Sequence, residues 1–272
     1  MPGPGVELLF GPLLIGVILS TFTYGVMSVQ MLLYYQTYKR DTRWIRYFML
    51  YLFCTETVNL LVEIGSIYEP LIVRYGTQRA LVISPILLAG DPVSIVASST
   101  PVQLFTAWRI SVITESIVLP LLISFLSIIS LGGGMMVTAF ASIRTEFQEF
   151  PSFSGAVIVW LVSSAACDVL ITAVLAYSLT TRKTGFTSID GQIDRIIRLT
   201  VQTGAITAFA ALADVILFLA FPVKFPESAL EYHLTSSQTT TLNFIPDFPL
   251  SKLYTISLLS TQVISLRDPR LY

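Results

Sequence analysis

Six residues stand out as chemically capable in an otherwise apolar chain: Glu56, Asn59, Glu63, Asp168, Asp214 and Lys252. Each lies in a stretch apolar enough to be buried. A charge there is expensive and usually faces other protein groups. Glu56, Asn59 and Glu63 follow one another at i, i+3 and i+7, which is one face of a helix. Asp168 stands near the middle of its run. Asp214 is about seven residues from the end of its own, roughly 10 Å deep at 1.5 Å per residue. Lys252 is two or three residues into the last run. Buried carboxylates without a partner tend to take up a proton. With four carboxylates and one lysine, some are therefore neutral, or they hold a cation, or they border water. Two chemistries follow: a polar ligand pocket, or a proton path through Asp168 and Glu56. The plain alternative is interhelical hydrogen bonding that fixes helix register. Lys252 is expected to pair with Glu63 or Asp214.

The elements that position these residues are read from composition. The chain has 272 residues, 54% hydrophobic and only 12% charged. Soluble domains average about 25% charged residues, and disordered chains are poor in apolar ones. A polytopic membrane protein remains. A span needs about 20 mostly apolar residues. Seven runs qualify, at about 8–38, 44–68, 92–110, 116–142, 154–179, 196–221 and 250–266, the last being short. Glu69-Pro70 is expected to end the second helix, and Asp91-Pro92 to start the third with Asp91 as its cap. Pro101 should free a carbonyl within the third. Residues 224–247 read as a polar external loop. The whole is expected to be a single all-α domain, a seven-helix bundle. The first run is too long for a signal segment and lacks a basic region before it, so it reads as a retained helix.

Basic residues orient the bundle. With the N-terminus outside, cytoplasmic segments carry Lys39, Arg40, Arg43, Arg46, Arg109, Arg182, Lys183, Arg195, Arg198, Arg267 and Arg270. External segments carry only Arg74, Arg79, Arg144 and Lys224. The excess places the N-terminus outside and the C-terminus in the cytoplasm. Arg109 reads as an interfacial anchor, whose side chain reaches the headgroups.

Other functions lack their signatures. A net charge of −1 provides no footprint for nucleic acid. One histidine and two separated cysteines do not make a usual zinc site, and no cofactor or metal is expected. No phosphate loop, dinucleotide fingerprint or metalloprotease motif occurs, so no enzyme is expected. A lysine in a seventh helix invites comparison with retinal proteins, but Lys252 reads as lying near the helix mouth. Glycines 132–134 in the fourth helix read as a packing site or a flexible point. Gly204, Ala205, Ala208, Ala210, Ala211 and Ala213 in the sixth read as close-packing residues.

Several motifs occur together: Gly11-Pro12-Leu13-Leu14-Ile15-Gly16, Ser99-Thr100-Pro101-Val102-Gln103, Ala107-Trp108-Arg109-Ile110, Asp168-Val169-Leu170-Ile171-Thr172, Arg195-Ile196-Ile197-Arg198-Leu199 and Asp247-Phe248-Pro249-Leu250-Ser251-Lys252. In combination they resemble a family of seven-helix membrane proteins of mushroom-forming fungi, known only as domain of unknown function six-five-three-four. The resemblance implies fold and membrane location but no activity. It falls on Arg109, Asp168, Arg195, Arg198, Asp214 and Lys252. Two functional classes follow. One is a receptor-like sensor in the plasma membrane. It would have an outer pocket near Glu63, Asp214 and Lys252 for an unknown small ligand or ion. Output to an unknown cytoplasmic partner would run through the inner face, at Arg109, Arg195 and Arg198. The alternative is a transporter or channel for protons or small cations using the intramembrane carboxylates. Beyond these, the lipid bilayer is the expected partner.

Overall fold

The structure is a computed structural model, and it describes residues 6–37, 42–77, 83–145, 147–181, 187–220 and 241–265. Seven long helices account for nearly all of them: α1 (Val6–Thr37), α2 (Arg43–Tyr68), α3 (Asp91–Thr114), α4 (Val118–Ile143), α5 (Ser154–Thr181), α6 (Thr187–Ala220) and α7 (Phe244–Ser265). No strand occurs among the described residues. Each helix packs on the next, and α7 closes the ring against α1. Within the ring α3 also touches α5 and α7. At Gly16 a β-carbon would meet the carbonyl oxygen of Phe244 at 2.5 Å, so the α1–α7 approach requires glycine.

Five helical stretches are long and apolar enough to cross a membrane: Leu9–Thr37, Arg43–Val73, Val118–Ile143, Ser154–Ser178 and Gln202–Ala220. Their outer faces carry large apolar side chains, with Phe22 71% and Phe209 75% exposed. Apolar surface on this scale has no place against water, and it suits contact with a lipid bilayer. α3 and α7 do not belong to this set. Their sequences place Ser98, Ser99, Gln103, Ser251, Lys252 and Thr255 inward, all buried.

Several expectations are revised. Helix α2 ends at Tyr68 as expected, but a π-turn over Glu69–Val73 continues it. Pro70 has no N–H to donate one turn back, and the chain closes the wider turn through Arg74 N to Glu69 O, 2.9 Å. Asp91 does not cap α3. It is the first helical residue, behind Gly90, and its carboxylate turns to Asn59 instead. Pro101 frees the carbonyl of Ala97, which accepts the Tyr51 hydroxyl at 2.8 Å. Helix α6 begins at Thr187 rather than about 196, because an amphipathic extension lacks the unbroken apolar run that marks a span. Helix α7 begins at Phe244, so residues 244–247 of the expected 224–247 loop are helical. Pro246 in the first turn sits where no intrahelical N–H bond is needed, which permits this start. The rest of that loop up to residue 240 lies outside the described residues. So do Arg182, the C-terminal residues from 266 on, and His233.

Candidate functional site: a buried ion-pair network and a carboxylate-lined cavity

Helix α2 turns Met49, Leu52, Glu56, Asn59, Leu60, Glu63, Ser66 and Ile67 inward, the period expected of one buried stripe. Its polar members meet α7, where Asp247, Ser251 and Thr255 recur every four residues and Lys252 lies beside them. Because α7 starts six residues earlier than its apolar run, Lys252 is the ninth helical residue rather than the third. That places it roughly 12 Å from the helix start.

The Lys252 ammonium is completely buried. It donates to Glu63 Oε1 at 2.6 Å and to Asn59 Oδ1, and lies 3.8 Å from Glu56 Oε2. The Phe248 carbonyl oxygen is 3.4 Å away. The remaining acceptors are filled by hydroxyls. Ser20 of α1 donates to Glu63 Oε2 at 2.5 Å, Ser251 to Glu56 Oε2 at 2.9 Å, and Thr255 to Glu56 Oε1 at 3.2 Å. Such extra bonds are what make a buried pair tolerable. Asn59 then extends the network, donating from Nδ2 to Asp91 Oδ1 of α3 at 3.1 Å. Four helices are thereby tied through one buried lysine.

Asp168 belongs to a second network. Its Oδ1 accepts from Gln103 Nε2 of α3 at 3.1 Å, and its Oδ2 accepts from the Tyr254 hydroxyl of α7. Ser164 lies 3.3 Å from the same hydroxyl. Cys167 beside it is buried, whereas Cys54 is exposed.

Asp214 joins neither network. It lines a cavity of about 310 Å³ between the ends of α3, α4, α5, α6 and α7. Asp91 and Asp247 share that wall. The three carboxylates are buried and lie within Coulombic reach of one another. Neither oxygen of Asp214, nor Oδ1 of Asp247, has a hydrogen-bond partner among the described residues. Trp160, Phe153 and Phe218 supply part of the largely apolar remainder.

Of the six residues singled out in the sequence, the structure joins Glu56, Asn59, Glu63 and Lys252, and sets Asp168 and Asp214 apart. The expected outer pocket around Glu63, Asp214 and Lys252 is therefore revised, since Glu63 and Lys252 pair with each other, with Ser20 and Asn59 completing their bonds, and neither lines the cavity. Lys252 is therefore not at the helix mouth, and its Nζ is held by Glu63 and Asn59. Sequence reasoning missed Asp91 and Asp247, one taken as a cap and the other as a loop residue. It also missed Ser251, Tyr254, Thr255 and Gln103. The four-residue spacing of Asp247, Ser251 and Thr255 was the available signal. Arg109 is half-buried near the end of α3. Arg195 and Arg198 lie on α6, and their side chains are outside the described residues.

The model of a family described as "Family of unknown function (DUF6534)" matches residues 164–263. This is the family that the sequence motifs resemble, and the matched segment holds Asp168, Asp214, Asp247 and Lys252. No curated protein and no solved structure matches the chain.

Proposed function

We propose that the chain is a multi-pass protein of the fungal plasma membrane that acts as a receptor-like sensor rather than an enzyme. In this reading all seven helices span, with the N-terminus outside. The 24 residues of α3 and 22 of α7 rise about 36 and 33 Å, enough for a hydrocarbon core of about 30 Å. Their polar faces are compatible with spanning because the other helices shield them from lipid.

One observation carries the sensor reading. Asn59 bonds both Asp91, in the cavity wall, and Lys252, in the network that ties α2 to α7. A ligand that engages Asp91 would act on the helix-pairing network through a single side chain. The cavity lies beside the start of α3 and α7 and the end of α6, the end that the basic residues assign to the outside. Output would pass through the inner face at Arg109, Arg195 and Arg198 to a cytoplasmic partner.

A proximity-labelling enzyme fused after Tyr272 tests this. The wild type should label a defined set of inner-face proteins that is lost in Arg195→Ala/Arg198→Ala. Identical sets in both proteins would sink the sensor reading. The second reading, proton or small-cation transport, is favoured by Asp168 held deep between Gln103 and Tyr254. It requires pH- or potential-driven flux in reconstituted vesicles that Asp168→Asn abolishes. The sensor reading expects no flux in the wild type.

A further inference from the structure

We infer that the cavity binds a protonated organic amine with an apolar body. The inference deepens the sensor reading and rests on it for the purpose of the site.

Three observations converge. The first is the pattern of unfilled acceptors. Asp214 is 1% exposed, yet both its carboxylate oxygens lack a hydrogen-bond partner among the described residues, and so does Asp247 Oδ1. Buried polar atoms are nearly always paired, so unpaired acceptors in a cavity wall are positioned to receive a donor from whatever occupies the cavity. An alkylammonium offers three N–H donors to such acceptors, and bonds between ionised partners are the strong kind.

The second observation is charge. Asp91, Asp214 and Asp247 line the cavity, and among the described residues no lysine, arginine or histidine does. Lys252, the buried cation nearby, is committed to Glu63 and Asn59. A cation is therefore the occupant whose charge complements the described wall.

The third observation is the rest of the wall, which distinguishes an amine from an inorganic ion. The volume of about 310 Å³ falls at the small end of ligand pockets. Aromatic side chains such as Trp160 and Phe218 in the wall favour an organic cation. Calcium takes six to eight oxygen ligands, and the described residues hold no group of three or more His, Cys, Asp or Glu placed to bind a metal.

The test uses the full chain purified in lipid nanodiscs, titrated calorimetrically with butylammonium, 2-phenylethylammonium and 2-(indol-3-yl)ethylammonium. The neutral control is 2-phenylethanol, the anionic control 3-phenylpropanoate, and the inorganic control calcium chloride. At least one of the two aromatic amines should bind saturably, and at least tenfold more tightly than 2-phenylethanol. Asp214→Asn should weaken that binding at least tenfold. Its unliganded melting temperature should equal or exceed that of the wild type, because an unpartnered charge has been removed. If Asp214→Asn does not yield folded protein, Asp247→Asn should show the same selective loss. The proposal is overturned if no amine binds, if the alcohol binds as tightly as the amine, if calcium displaces the amine, or if folded variants keep full affinity. Saturable binding of the alcohol or the acid alone would remove the amine assignment but leave the cavity as a ligand site. Failure of the labelling experiment would remove the sensor reading whatever the titrations show.

Discussion

Replacing Lys252 with methionine should destabilise the bundle sharply, and the structure sets the magnitude. At an effective dielectric of about 20, unit charges attract by about 6 kcal/mol at the 2.6 Å of the Glu63 pair and about 4 kcal/mol at the 3.8 Å of the Glu56 pair. Desolvation of three ions, several kcal/mol each, offsets most of that gain. The net worth of the intact network is therefore small. Removing only the cation is different, because two carboxylates lose their counter-charge with no access to water. Breaking a buried pair in this way costs about 3–5 kcal/mol. For a chain of this size that corresponds to a melting temperature lower by roughly 10 °C. Methionine keeps most of the lysine stem's volume, so the loss reports charge rather than a cavity.

The two cysteines supply the assay. In a Cys54→Ala background only the buried Cys167 remains, and it reacts with a thiol-directed dye on unfolding. The dye signal against temperature then reports loss of the core. Adding Glu63→Gln to Lys252→Met should recover part of the deficit, since one uncompensated carboxylate is removed. A drop below about 2 °C for Lys252→Met, or a double variant less stable than Lys252→Met alone, would refute the reasoning.

Other outcomes follow from the same geometry. Gly133→Ala should cost about 1–3 kcal/mol, because the new β-carbon would meet Trp160 Cβ at 2.9 Å and the α5 backbone at 3.0 Å. Gly132→Ala, with nothing within 4 Å, should be neutral or stabilising by up to about 1 kcal/mol; the dye assay ranks the two. Tyr254→Phe removes the partner of Asp168 Oδ2 and should lower stability by about 1–3 kcal/mol. If it melts with the wild type, that hydrogen bond contributes nothing. An epitope at Met1 should be accessible on intact cells and one at Tyr272 only after permeabilisation; the reverse pattern would invert the orientation.

The glycines and the buried polar residues illustrate how unevenly the sequence could be read. Gly133 and Gly134 face Trp160 and Val96, whereas Gly132 faces open space. The triplet is thus a packing site for two of its members, a distinction that adjacent identical residues cannot express. On α6 the small residues divide as well: Ala208 and Ala211 are buried and Thr172 of α5 closes on Gly204, whereas Ala205 is exposed and Ala210 and Ala213 are half-buried. On α2 the polar stripe was legible because helical periodicity alone sets the face, and Glu56, Asn59 and Glu63 are all fully buried. On α7 the same periodicity was present but went unread, since the helix was placed six residues late. Its first two turns hold Pro246, Asp247 and Pro249, which interrupt the apolar run, and hydropathy recognises runs exposed to lipid, not helices sheltered by neighbours.

The sequence by itself determined the helical class, the apolar faces suited to lipid and the identity of the few buried ionisable groups. These depend on composition and on a period of 3.6 residues, both local properties. Only the tertiary structure decided which of those groups meet. Lys252 could reach Glu63 or Asp214 equally well by depth along the chain. The ring order that packs α7 between α1 and α6, with α2 across it, directs the lysine to α2. Asp214 is left with Asp91 and Asp247 around a cavity. Depth along a helix is a one-dimensional quantity, whereas partnership depends on the rotation of each helix about its axis and on its neighbours, which are properties of the assembled bundle.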